Sequence, residues 1–314
     1  MPNKRKIQTE IQMKSLKSYI QEKLIIKKNK NTGYKYFPQT KEELKDIILK
    51  RIKSEGNKVD LNDIDVSNIT DMSNLFEEIN FNGDISKWDV SNVTNMRCMF
   101  FCCEIFNQDI SNWDVSNVTD MSGMFFMAKL FNKDVSKWDV SNVVNMGNMF
   151  YGCYKFNQDI SSWDVSKVNN MSNTFCRCES FNQDISSWDV SNVTDMNSMF
   201  YWCKNFNVDI SKWDVSNVTD MNSMFFACKL FNQDISQWDV SNVTNTREMF
   251  CKCENFNQDI SQWDVSNVTN MYRMFYKCKS FNQDISNWDV SNVKSKDKMF
   301  NNCPIEEKYK PAFK

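Results

Sequence analysis

Histidine is absent from the 314 residues. Without an imidazole, Ser-His-Asp and Cys-His catalysis, His-ligated zinc and histidine proton relays are excluded before any motif is sought. Glycine (6) and proline (4) are scarce, which excludes collagen-like chains and Pro-rich linkers. No apolar run approaches the roughly 20 residues of a membrane-spanning helix, and Leu24-Ile25-Ile26 is the longest near the start. Lys4, Arg5 and Lys6 resemble the basic start of a secretory leader, but Glu10, Lys14, Lys17, Glu22 and Lys23 interrupt the apolar stretch that must follow. The first cysteine is Cys98, so no early lipid attachment point is present either. A cytoplasmic, reducing location is the expectation.

What is present is ordinary in bulk and unusual in order. Hydrophobic residues are 41%, charged residues 25% and aromatics 14%, enough for a substantial core and too apolar for wholesale disorder. The net charge of −2 hides an asymmetry: residues 1–60 carry 16 basic against 7 acidic side chains, and the rest 22 against 33. A basic first part thus precedes an acidic body, which makes nucleic acid an unfavourable partner for the body.

The decisive signal is a repeat. Phe recurs at 81, 106, 131, 156, 181, 206, 231, 256 and 281, and Trp at 88, 113, 138, 163, 188, 213, 238, 263 and 288, a period of 25 without slippage. A degenerate earlier unit begins near Ile64. Such a period means stacked units, each too small to support itself. In the unit Phe106–Leu130, the stretch Phe106–Val115 reads as a short strand with polar corners. Apolar residues then fall at Val118, Met121, Met124, Phe125 and Ala128, which reads as a short helix capped by Ser116 or Thr119. Three parts are expected: a basic helical segment and cap over 1–60, the repeat array over 61–303, and a polar terminal cap over 304–314. Within the first, Thr40-Lys41-Glu42-Glu43 is a capping box that opens a helix with Leu44, Ile47, Ile48 and Ile52 on one face, closed by Gly56. A weaker amphipathic helix is expected over 9–28.

The unit Phe-Asn-Gln-Asp-Ile-Ser-Asn-Trp-Asp-Val-Ser-Asn-Val-Thr-Asp-Met (106–121) resembles the repeat of the BspA-like leucine-rich-repeat proteins, in the subgroup of mycoplasma-type lipoproteins, and the likeness covers 61–303. The resemblance implies a right-handed leucine-rich-repeat-like solenoid of about ten coils, each a short strand plus a short helix. It also implies non-enzymatic roles as surface protein or adhesin, and the group extends to large DNA viruses. A cell or virion surface is therefore the alternative to the cytoplasm.

In a stack, each repeated position becomes a file of side chains. The Phe file (Phe106, Phe131, Phe156) is core, and the Asn file (Asn107, Asn132, Asn157) is expected to form a hydrogen-bonded ladder. The Cys file, with Cys153, Cys178, Cys203 and Cys228, takes Ala128 in one coil, which suits a small buried site. Neighbouring thiols lie within disulfide reach, but a reducing location favours free thiols. Two Asp files run in parallel, one through Asp109, Asp134, Asp159 and Asp184 and one through Asp89, Asp114 and Asp139. Turn capping is the plain reading, and a stripe for cations or cationic ligands the sharper one. Trp113, Trp138, Trp163, Trp188 and Trp213 are either core or an exposed aromatic rail. In a straight strand Ile110 and Trp113 face opposite sides, so burying both needs a bend. Variation between units concentrates in the second half, at Tyr201, Trp202, Arg247, Tyr272 and Arg273 among others, where contacts tailored to a partner are expected.

No catalytic residue, cofactor site or metal site is singled out, because each candidate carboxylate has many copies. The Asn-Val-Thr triplets match glycosylation sequons but recur at a capping position. The expectation is a non-enzymatic scaffold that binds a protein or glycan. The alternative is a structural or self-assembling component, and the homo-oligomeric state is left open.

Overall fold

Each coil is hydrogen-bonded to the same position of the next. The computed structural model describes residues 33–313. Parallel single-residue bridges join Asp71, Asn95, Asp120, Asn145, Asn170, Asp195, Asp220, Asn245, Asn270 and Ser295 in succession, which makes ten stacked coils. Most coils turn the same nine apolar side chains inward, with buried Thr174 and Thr246 replacing a methionine in two of them. In the coil beginning at Phe106 these are Phe106, Ile110, Trp113, Val115, Val118, Met121, Met124, Phe125 and Ala128, all buried. The rings stack from coil to coil, with Phe106 and Phe131 6.0 Å apart and Phe131 and Phe156 6.1 Å apart. One continuous core runs from Leu44 in the cap to Ile305 beyond the last coil.

The expected strand-plus-helix coil of a leucine-rich-repeat-like solenoid does not form. Among the described residues the only α-helix is α1 (Lys41–Glu55), accompanied by a 3-10 turn at Glu307–Tyr309, and β-structure consists of isolated bridges alone. In the half read as a helix, the backbone instead makes consecutive tight turns. Met124, Phe126 and Ala128 donate to the carbonyls of Met121, Gly123 and Phe125, three residues back. Between them, Met121, Gly123, Met127 and Phe125 donate to Asn145, Gly147, Tyr151 and Met149 of the next coil. Half of the N–H groups that an α-helix would use internally therefore hold the stack together. The half read as a strand also bends. Trp113 N–H donates to the Ile110 carbonyl at 3.2 Å, and this turn brings both side chains to the same interior.

Helix α1 closes the first coil. Thr40 Oγ1 accepts from Glu43 N–H and the Glu43 carboxylate accepts from Gln39 N–H, so the capping box forms one residue wider than its usual reciprocal pairing. Gly56 ends the helix at φ 91°, donating to the Ile52 carbonyl. Leu44 and Ile48 enter the core, while Lys41 reaches Asp71 and Ser73, and Lys45 reaches the Asn74 carbonyl. Gly83 stands where most other coils have Gln, because a Cβ there would lie 2.0 Å from the Val59 carbonyl. The expected 9–28 helix and the basic clusters at 4–6 and 27–30 lie outside the described residues.

Candidate functional site

Most of the repeated polar atoms are engaged within the stack. Asn107 N–H donates to Asn82 Oδ1, and Asn107 Oδ1 accepts from Asn132 N–H, whose own Oδ1 accepts from Asn157. This ladder continues to Glu306 at the last coil. A second ladder uses the sequon asparagines: Asn92, Asn117, Asn192, Asn217, Asn242 and Asn267 each donate Nδ2 to a seryl carbonyl of the preceding coil.

The Trp rail is a core feature, which removes Trp113, Trp138, Trp163, Trp188 and Trp213 from any contact surface. Each is at most 4% exposed. Trp113, Trp138, Trp163, Trp188 and Trp213 donate Nε1 to the carbonyls of Ile85, Ile110, Val135, Ile160 and Ile185 respectively. Burial is satisfied only because the bend after Ile110 places the indole beneath the preceding coil.

The Cys file is equally internal. Cys153, Cys178, Cys203 and Cys228 are free and buried, each with Sγ against a phenylalanyl carbonyl of the preceding coil at 2.8–3.1 Å. Burial pushes these four thiols far above their ordinary range. Asp109, Asp134, Asp159 and Asp184 are exposed, yet each Oδ1 accepts the N–H of the serine two residues on at 2.9–3.0 Å. Those serine contacts hold all four carboxyls below the usual carboxylate range. Turn capping thus accounts for this file. Among the described residues, no group of three or more Cys, Asp or Glu is placed to hold a metal ion.

Different chemistry lies on the outer flank of the turn segments. Phe101, Phe126 and Tyr151 stack 4.5 Å apart, and after Cys176 the file resumes with Tyr201 and Phe226 at 4.6 Å. Phe226, Ala227 and Cys251 form a small hydrophobic cluster separate from the main core, with Tyr201, Trp202 and Tyr276 packed on it. Arg247, Tyr272 and Arg273 also meet on this flank. Both guanidiniums pack on the Tyr272 ring, at 5.4 and 4.9 Å, and both lie beside Glu248 at 3.5–3.6 Å. The single Glu248 carboxylate serves both guanidiniums and leaves the knot a net charge of +1.

Beside the knot is a cleft of about 500 Å³. One wall is the file Trp202, Ala227, Lys252, Lys277 and Asn302, and the other is Lys204, Lys229, Glu254 and Lys279. Ala227 is the small residue in the first wall. Glu254 binds Lys229 at 3.0 Å and Lys279 at 2.6 Å, and Lys204 pairs with Glu179 at 2.8 Å. The Lys252 and Lys277 ammoniums lie over the Phe226 and Tyr276 rings at 5.0 and 5.2 Å. Neither has a carboxylate partner among the ion pairs of the described residues. The sequence reading found Tyr201 and Trp202 but missed Phe226, Lys252's ring contact, Lys277 and the 204–279 file. The available signal was the inward Cys file: residues on either side of Cys203, Cys253 and Cys278 must project outward, and most of them are lysines.

Three overlapping segments, 48–160, 131–224 and 202–310, match the model of a family described as "Mycoplasma protein of unknown function, DUF285". No curated protein and no solved structure matches the chain. No helix among the described residues is long and apolar enough to cross a membrane.

Proposed function

The chain belongs to the DUF285 family, and on that premise we propose that it is a non-enzymatic repeat protein presenting the flank of its turn segments to a protein or glycan partner. One contrast carries this reading. The Asn, Trp, Cys and Asp files have bonding partners inside the stack, whereas Lys252 and Lys277 lie in an open cleft beside Trp202 without a carboxylate partner. A rigid ladder of coils with varied side chains along one flank suits recognition, because little conformational entropy is lost when such a surface binds. The resemblance of 61–303 to BspA-like repeats supports a surface or adhesive role. Glycan-array and direct protein-binding measurements on the full chain test the reading, with loss of binding in Trp202→Ala as the expected result. Binding that survives this change and Tyr201→Ala together would place recognition elsewhere.

A structural, self-assembling role is the second reading, and one observation favours it. The N–H groups of Lys296, Lys298, Phe300 and Asn302 sit where earlier coils donate onward, and among the described residues they have no backbone acceptor. Light scattering across protein concentrations separates a monomer from an end-joined assembly.

A further inference from the structure

We infer that the lysine-lined cleft takes an acidic oligosaccharide, with one sugar ring against Trp202 and the carboxylate or sulfate of a neighbouring sugar between Lys252 and Lys277. This rests on the interaction reading above and specifies its ligand.

Lys252 and Lys277 are the same position in adjacent coils, so their ammoniums stem from backbones about 4.8 Å apart. The Phe226 and Tyr276 rings orient both ammoniums without neutralising them. Two like charges so placed are stabilised by an anion that bridges them. The remaining cleft cations, Lys204, Lys229 and Lys279, are already tied to Glu179 or Glu254, so they add positive potential rather than free donors. The cleft is lined by five lysines and Glu254, and with Glu179 paired to Lys204 the local net charge is +3 within an acidic body. That confinement favours a short anion over a long polyanion, which would run onto the exposed Asp files.

The rest of the cleft suits a pyranose. Trp202 gives an aromatic wall with the Lys204 ammonium 5.1 Å from its ring centroid, Ala227 a small residue in the same wall, and Asn302 an amide for hydroxyls. An extended peptide would need free backbone partners. Here Trp202, Ala227 and Lys252 already donate to Phe226, Cys251 and Tyr276 of the next coil.

The test is calorimetric titration of the full chain with five probes: a heparin-type hexasaccharide, a galacturonate hexasaccharide, neutral chitohexaose, hexaglutamate and a short single-stranded oligonucleotide. At least one acidic saccharide should bind tenfold or more tighter than chitohexaose, and its affinity should fall with added salt. The galacturonate arm tells carboxylate recognition from sulfate recognition. K252Q/K277Q, which leaves the core untouched, should lose tenfold or more, and Lys277→Arg should retain most binding. Equal binding by wild type and K252Q/K277Q overturns the inference, as does tighter binding of hexaglutamate or the oligonucleotide. A neutral glycan or a protein that binds wild type and is lost in Trp202→Ala, with the acidic saccharides silent, overturns this inference and leaves the interaction reading standing. Binding of every ligand unchanged by both variants removes both.

Discussion

At the scale of single residues, identical side chains play identical parts in every coil, so one substitution reports on a file. Trp188 is buried and bonded to the Ile160 carbonyl. Trp188→Ala should therefore cost roughly 3–5 kcal/mol in chemical denaturation, and a negligible loss would mean the ring is not core. The thiols sort by the same logic. Cys103 is pushed up to about 12 by burial, as are Cys176 and Cys251, whereas Cys98 and Cys102 are only partly buried and less strongly raised. Reactivity needs an accessible thiolate, so native-state alkylation followed by mass spectrometry should label Cys98 and Cys102 first and the file from Cys153 to Cys278 only on unfolding. The Asp corners make stability depend on pH. The carboxyls of Asp109, Asp134, Asp139, Asp159, Asp184, Asp209, Asp214 and Asp239 are held below the usual range by serine N–H and hydroxyl contacts. A lowered folded pKa contributes stability above the unfolded value of about 3.9, which is lost as pH falls through the folded value. Asp195 runs the other way, raised by burial, and gains from protonation. With lowered corners outnumbering it, the melting temperature should decline as pH drops below about 4.

At the scale of the coil, the period, the buried files and helix α1 were legible in the residues, whereas the local backbone was not. Val118, Met121, Met124, Phe125 and Ala128 point inward as a helix would have placed them, because tight turns also bring side chains to one side every three or four residues. Side-chain spacing cannot say whether an N–H bonds within the coil or to the next one. A second feature was hidden by residue type. Among the described residues eighteen non-glycine residues, two in most coils, have φ between 53° and 62°, including Cys98, Arg177, Trp202, Lys252 and Lys298. Glycine marks this conformation at Gly123 and Gly152, and Asn marks it at Asn74, Asn148, Asn173 and Asn302; at Arg177, Trp202, Glu248, Lys252, Arg273, Lys277 and Lys298 charged or aromatic residues occupy it and give no turn signal. The variation seen at these positions thus reflects outward-facing side chains on a backbone fixed by inter-coil hydrogen bonds. The cost of a left-handed L-residue is about 1–2 kcal/mol, so Ser198→Gly should raise stability by up to about 1 kcal/mol after the added unfolded-state entropy. Gly123→Ala should lower it, since the new Cβ also meets Cys98 Sγ at 2.9 Å. Paired thermal melts check both signs.

At the scale of the whole molecule, the direction of the hydrogen bonds makes the two ends of the stack chemically different. Through the turn segments every coil donates N–H groups to the coil after it, as Met96, Cys98, Phe100 and Cys102 do to Asp120, Ser122, Met124 and Phe126. Among the described residues the N–H groups of Lys296, Lys298, Phe300 and Asn302 continue this run without a backbone partner, with Phe313 and Lys310 of the terminal segment packed beside them, and two such ends set face to face oppose donor to donor along this run. A two-fold join through these segments is therefore disfavoured, and end-to-end growth has to be head to tail. In that arrangement the acceptors are the first-coil carbonyls at Asp71, Ser73, Leu75 and Glu77, on the side where α1 lies with Leu44 and Ile48 buried and Lys41 and Lys45 bonded to the coil. An unpaired strand-like edge of this kind is an association hazard when it is uncovered. The capped chain should run as a monomer by light scattering, and Leu44→Asp/Ile48→Asp, which places charge in the α1 interface and loosens the cap, should give concentration-dependent head-to-tail oligomers. If the double variant stays monomeric while circular dichroism shows α1 detached, the polarity of the stack does not control its assembly, and the role of α1 is confined to covering the apolar end of the core.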